Sequence, residues 1–162
     1  MKKFLKWLTW VPPILFMIVI FMFSASDATE SSSLSGGVSE KVVNWVDEAF
    51  ALHWDTDYKM SLCERIEYPI RKLAHMSEYA ALAILFYIAF MVNGRMSRRR
   101  AFVVILCCFL YACTDELHQR FVPGRDGNLL DIGIDTFGAS IGTLLAIIII
   151  KMINRTKKMT LS

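Results

Sequence analysis

Four long apolar runs alternate with polar segments along the chain, and their lengths predict helices that cross a membrane. The first run ends at Phe23, and the last covers residues 129–150. The two middle runs, 79–92 and 101–113, hold only 14 and 13 residues. A helix needs about 20 residues at about 1.5 Å each to cross the hydrocarbon. We therefore expect both middle helices to extend into neighbouring polar residues.

The extended helices give a complete topology. The second helix begins near Pro69, because proline is tolerated in a first helical turn, and the third continues to about Gln119. Pro123 and Gly124 form a turn before the fourth helix, which Asn128 can cap. The sequence thus predicts a single all-α integral membrane domain over 1–162. Its transmembrane helices lie at about 5–23, 69–92, 101–119 and 129–150, and its outer loop at 24–68.

The predicted outer loop contains an amphipathic segment. Residues 24–40 are rich in Ser, Asp, Glu and Gly, which is typical of a polar loop. From Ser39, which can cap a helix, apolar residues such as Val42, Val46 and Phe50 recur at helical spacing. We expect an extracytoplasmic amphipathic helix here, on the membrane surface or against the bundle.

The first apolar run has two interpretations. Lysines precede it and the small residues Ser24, Ala25 and Ser26 follow it, as in a cleavable signal peptide. The run 7–23 holds 17 residues and includes the bulky Trp10. It is longer than a usual signal core, which favours a permanent first membrane helix.

Charge is distributed asymmetrically across this topology. The N-terminus, the loop 93–100 and the C-terminal tail hold eleven of the 18 Lys and Arg and none of the 15 Asp and Glu. The positive-inside rule then places both termini in the cytoplasm. A hydrophobic content of 55% excludes an ordinary soluble domain, so we predict a multi-pass protein of the cytoplasmic membrane. The basic excess follows from topology, and no nucleic-acid partner is expected.

Polar side chains collect at the outer ends of three predicted helices, where an ionisable group is a functional candidate. They form pairs three or four residues apart, each on one helix face, so convergence of the faces would bring two imidazoles and four carboxylates to one depth. The candidate catalytic residues are His75, Glu78, Asp115, Glu116, His118 and Asp135. The candidate ligand-binding residues are Lys72, Gln119, Arg125 and Asp131.

Such a site supports several kinds of chemistry. Imidazole and carboxylate can hold a divalent metal cofactor, although the sequence has no HExxH or Cys/His ligand pattern. An acid beside a base can transfer protons, and arginine or lysine can bind phosphate oxygens. Structural roles remain open alternatives. Asp131 can cap the fourth helix, Arg71 and Lys72 can be interfacial anchors, and the histidines can form static ion pairs.

Two segments resemble the VanZ-like family, which is named for a protein associated with low-level teicoplanin resistance in Gram-positive bacteria. They are RKLAHMSEYAALAILF at 71–86 and YACTDELHQRFVPGRDGNLLDIGIDTFGASIG at 111–142, within a similarity that covers about 4–150. The matching positions are Lys72, His75, Glu78, Tyr79, Asp115, Glu116, His118, Gln119, Pro123, Arg125, Asp131, Asp135 and Gly138. The chain departs from the family chiefly between the first two helices.

The resemblance implies a four-helix envelope protein of a Gram-positive bacterium, without implying an established reaction. One hypothesis is that an outward-facing polar pocket binds a membrane lipid or lipid-linked precursor and thereby affects a glycopeptide antibiotic indirectly. The alternative is a membrane-embedded, metal-dependent hydrolase or transferase, with His118 or Glu78 as acid or base and Asp115 and Asp135 as metal ligands. A proton path is less favoured, because the inner half of the bundle offers few polar residues.

Overall fold

Helices account for most of the chain in a computed structural model, which describes residues 6–26, 28–94, 97–125 and 127–160. The described residues contain no β-strand, which confirms the all-α prediction. The basic residues Lys2, Lys3 and Arg95, and the predicted start of the first helix, lie outside these ranges. The helices are α1 (Val11–Ser24), α2 (Ala28–Phe50), α3 (Thr56–Val92), α4 (Arg98–Gln119) and α5 (Leu129–Thr160).

Within the described ranges, four segments are long and apolar enough to cross a membrane, as predicted. They are Lys6–Ser24, Thr56–Val92, Arg98–Gln119 and Leu129–Thr156. Large apolar side chains such as Ile18, Phe102 and Leu144 are exposed on their outer faces. Lipid tails are as apolar as these side chains, so a membrane helix does not need to bury them in protein. The exposed apolar surface therefore agrees with a multi-pass membrane protein.

The segment between α1 and α3 is more helical than predicted. The expected polar loop is helical from Ala28 onwards, so Ser39 lies inside α2 and does not cap it. The Ser39 hydroxyl donates to the Ser35 carbonyl at 2.8 Å, and both residues are buried. Serine and glycine disfavour helix interiors, but packing of one face along α3 outweighs that preference.

The second membrane helix also begins earlier than predicted, at Thr56, and Pro69 lies inside it. Asp55 caps the new start, because its carboxylate accepts a hydrogen bond from the Tyr58 amide at 2.8 Å. With 37 residues, α3 is about 55 Å long, whereas the hydrocarbon core is about 30 Å thick. A large part of α3 therefore extends beyond the membrane.

Polar contacts join α2 to the first part of α3. Lys59 Nζ lies 2.6 Å from Asp47 Oδ2 and donates to Asn44 Oδ1 at 3.3 Å. The hydrogen bond from Lys59 lowers the pKa of Asp47, because the nearby cation stabilises the carboxylate. The predicted outer loop is thus largely a helical hairpin that continues into the second membrane helix.

The turn before α5 agrees with the sequence prediction. Gly124 has a φ of 73°, in the left-handed region that glycine adopts without strain. Asn128 Oδ1 accepts a hydrogen bond from the Leu130 amide at 3.0 Å and caps the helix. The helix itself continues to Thr160, beyond its predicted end at residue 150.

Helices α3 and α5 pack closely against each other at two glycines of α5. Gly138 and Gly142 have the small-xxx-small spacing that predicts close approach of membrane helices. A Cβ atom on Gly138 would overlap the Met76 carbonyl, and one on Gly142 would overlap the Ala80 carbonyl. The surrounding core draws on α1, α3, α4 and α5. Its buried members include Tyr79, Leu82, Ala83, Val104, Cys108, Ala112 and Ala139.

Replacing Gly142 with alanine should destabilise the bundle. The added methyl group meets backbone rather than a movable side chain, so we expect a loss of about 1–3 kcal/mol in the free energy of unfolding. Gly133 lies on the same helix with open space around it, and Gly133→Ala is the matched control with no expected loss. Thermal unfolding in one detergent compares the two, and equal melting temperatures would contradict the α3–α5 contact.

Candidate functional site

A groove of about 200 Å³ lies beside the end of α1, between α2 and α3. One part of its lining is apolar and includes Phe23, Leu34, Val38, Ile70 and Ala74. The other part is polar and comprises Ser26, Ser31, Ser35, Arg71, His75, Glu78 and Arg125. An apolar wall beside charged groups fits an amphiphilic ligand.

Arg71 of α3 forms polar contacts that link the α2 and α3 sides of this groove. Its Nη2 atom lies 2.6 Å from Glu67 Oε1 and 2.9 Å from Ser32 Oγ. The Ser35 hydroxyl, 3.1 Å from Glu67 Oε1, joins the same network. Glu67 neutralises the charge of Arg71, and through Ser32 the same side chain links α2 to α3.

His75, Glu78 and Arg125 meet in the groove. The His75 Nδ1 and Glu78 Oε2 atoms are 3.7 Å apart, close enough to interact electrostatically but too far for a hydrogen bond. Arg125 reaches the groove from the turn before α5, and its Nη2 donates to the Phe23 carbonyl at 3.4 Å. Three of the ten predicted site residues therefore line one concave surface.

Lys72 and Asp131 form a second feature, an ion pair between α3 and α5. The Lys72 Nζ and Asp131 Oδ1 atoms are 2.5 Å apart, and both side chains are largely buried. Lys72 also lies over the Tyr68 ring, 4.9 Å from its centroid. The alternative role of Asp131 as a helix cap is wrong, since Asn128 caps α5 and Asp131 binds Lys72. This pair links α3 and α5 about one helical turn before Asp135 on α5.

Buried polar side chains on α4 and α5 form a third feature. Asp115 Oδ2 accepts a hydrogen bond from Gln119 Nε2 at 3.2 Å. Glu116 Oε2 accepts one from the Asn128 amide at 2.8 Å, and so fixes the start of α5. Asp135 is only 1% exposed, and its Oδ1 atom has no hydrogen-bond partner among the described residues. Their hydrogen bonds give the buried Glu116 and Gln119 side chains a structural role. No such contact accounts for the burial of Asp135 Oδ1 among the described residues.

Two further polar groups in this region were not predicted as site residues. The Tyr79 hydroxyl is buried and lacks a hydrogen-bond partner among the described residues, whereas the buried Ser24 hydroxyl lies beside the Asp115 carboxylate. A buried polar group without a partner costs about 1–3 kcal/mol. Tyr79 sits four residues after His75, on the same helix face, and this spacing was the available signal. Ser24 offered no signal beyond its position at the end of an apolar run.

The two histidines do not face each other. The His118 ring packs against Phe21 of α1, with centroids 4.4 Å apart, whereas His75 faces the groove. Among the residues that the structure describes, no three His, Cys, Asp or Glu side chains are arranged to hold a metal ion. The predicted meeting of the two imidazoles does not occur, but the carboxylates do lie near one another. Glu78, Asp115 and Asp131 are each close enough to Asp135 to interact electrostatically. The polar residues therefore form three adjoining features. They are the groove, the Lys72–Asp131 pair and the buried polar layer.

All three features fall within a region that matches a known protein family. The family model described as VanZ/LLP1 matches residues 9–150, which confirms the resemblance carried by the two sequence segments. No curated protein and no solved structure matches the chain.

The Lys72–Asp131 pair can be tested by a double-mutant cycle. Lys72→Met leaves a largely buried carboxylate without its cation, so we expect a loss of about 1–3 kcal/mol in the free energy of unfolding. Adding Asp131→Asn should recover part of that loss, because the uncompensated charge is then removed. Unfolding in a single detergent measures all four proteins. Strictly additive single effects would show that the two side chains do not interact.

Proposed function

Because this chain belongs to the VanZ/LLP1 family, we propose that it is an envelope membrane protein that binds a lipid-linked or lipophilic ligand in the α1–α2–α3 groove. By holding this ligand, it modulates susceptibility to teicoplanin. The observation that carries the proposal is the groove itself, which combines an apolar wall with Arg125, His75 and Glu78.

The proposal places the groove on the outer side of the cytoplasmic membrane. At the opposite end of the bundle, the start of α4 and the end of α5 carry arginines and lysines, and the sequence has no Asp or Glu at 79–114 or after 135. The positive-inside rule favours that end, and with it both termini, in the cytoplasm. The groove then opens to the leaflet where lipid-linked cell-wall precursors are used.

The size of the groove favours an indirect effect on the antibiotic. Pockets for drug-sized ligands measure about 300–1,000 Å³, and the groove measures about 200 Å³. A lipid headgroup or a segment of an acyl chain fits that volume, whereas a whole glycopeptide does not. In this proposal the Arg125 guanidinium binds phosphate or carboxylate oxygens, and the apolar wall with Val38 and Ile70 takes the chain.

A second candidate function has its own observation. His75 and Glu78 share the groove with Arg125, so an acid/base pair lies beside the proposed anion site. A hydrolase or transferase that acts on a lipid or cell-wall precursor would use such a pair for proton transfer. Glu78→Gln distinguishes the candidates, because a binding protein retains its effect on susceptibility and an enzyme loses it.

Arg125→Ala should bring teicoplanin susceptibility to the level of a deletion strain, because the groove loses its anion-binding guanidinium. Arg120→Ala is the matched control. It removes the same charge at the same end of the bundle, from an exposed side chain outside the groove. Minimal inhibitory concentrations are compared at equal amounts of protein in the membrane.

Two outcomes contradict the proposal. One is unchanged susceptibility in a variant that lacks all the polar side chains of the groove. The other is an equal change in the Arg120→Ala control, which would indicate an effect of surface charge alone.

A further inference from the structure

A second cavity, of about 520 Å³, lies at the opposite end of the bundle from the groove. It opens between α4 and α5, and Tyr87 of α3 contributes to its lining. Its walls are mostly apolar, with Phe102 and Ile105 on one side and Ile147 on another. Phe102 is 64% exposed, so this wall continues into the apolar outer surface of the helices.

Two cations reach this cavity from different helices. Arg98 comes from the first turn of α4, and Lys151 comes from α5. Within the described residues, neither side chain forms a salt bridge or a hydrogen bond. Arg100, by contrast, lies over Gly94, where its Nη1 donates to the Phe90 carbonyl at 3.5 Å. The cavity is therefore bordered by positive charge that no described residue neutralises.

The start of α4 adds to this positive field. The first turn contains Arg98, Arg99 and Arg100 and no acidic residue. A helix N-terminus carries a partial positive charge, which favours acidic side chains there and disfavours basic ones. The three arginines therefore destabilise the first turn of α4, which borders the cavity. A bound anion would offset both the arginine charges and the dipole.

Membrane topology alone does not explain this arrangement. The positive-inside rule requires cations on this side of the membrane, and Arg99 and Arg155 meet that requirement from exposed positions outside the cavity. It does not require two unpaired cations from separate helices to border an apolar recess.

We propose that this cavity binds an anionic phospholipid. Its phosphate lies between Arg98, Lys151 and the N-terminus of α4, and an acyl chain follows Phe102 and Ile147. A lipid is the occupant that matches both parts of the lining, because a free phosphate would leave the apolar walls uncovered. Basic recesses between membrane helices are suited to anionic headgroups by the same physics. This site is independent of the groove and of the function proposed for it.

The test compares two double variants with the same change in charge. Arg98→Gln/Lys151→Gln removes the cations of the cavity, and Arg99→Gln/Arg155→Gln removes two exposed cations at the same end. Each protein is purified and placed in phosphatidylcholine nanodiscs with increasing phosphatidylglycerol. The affinity for phosphatidylglycerol is measured by native mass spectrometry and by the rise in melting temperature.

We expect the cavity variant to bind phosphatidylglycerol about 30-fold more weakly, the effect of two charge contacts of about 1 kcal/mol each. The matched variant should bind as the unmodified protein does. Ile105→Trp, which narrows the cavity and keeps both cations, should also weaken binding.

Three results would overturn the proposal. The first is unchanged binding by the cavity variant, and the second is an equal loss in both double variants. The third is equal stabilisation by soluble glycerol phosphate, which would identify a phosphate site rather than a lipid site. Because Arg98 and Lys151 are exposed, neither substitution disturbs the core, and equal melting temperatures in pure phosphatidylcholine verify this.

Discussion

Gly138 and Gly142 let α5 lie directly against the backbone of α3, and much of the polar architecture depends on that contact. The stripe that holds these glycines continues towards the start of α5 through Asp135 and Asp131. Close approach of the helices therefore brings Asp131 to Lys72 and buries Asp135 completely. A wider separation would expose both carboxylates, so one packing motif sets the positions of charges two turns away.

Each buried polar group in this region must be compensated, because lipid offers it no hydrogen bonds. Glu116 and Gln119 are compensated locally by Asn128 and Asp115. Asp135 has a carboxylate oxygen without a partner among the described residues, directly beneath the Lys72–Asp131 pair. Buried polar groups without hydrogen-bond partners are expected at functional sites. We infer that the buried layer supports the groove, because Glu78 of the groove lies close enough to Asp115 and Asp135 to interact electrostatically.

The sequence predicted the features that depend on local spacing and charge. Segment lengths gave four membrane helices, and Asn128 was identified as a cap. Packing between helices accounts for the errors. The serines of α2 are helical because they pack along α3. Pro69 is tolerated inside α3 because the other backbone hydrogen bonds of this long helix stabilise it. Helical spacing also shows which residues share a face, but not which helix that face meets. His118 is an example, because its ring packs against Phe21 and does not meet His75.

Ligand binding in the groove can be measured directly by crosslinking in living cells. A photo-crosslinking amino acid replaces Val38, which lines the groove, and in a control it replaces Leu144, which is exposed on the outer face of α5. After irradiation, mass spectrometry identifies the lipids attached at each position. We expect a lipid-linked or lipophilic ligand to be enriched at Val38 over Leu144. Adducts with the same mixture of bulk lipids at both positions would contradict it.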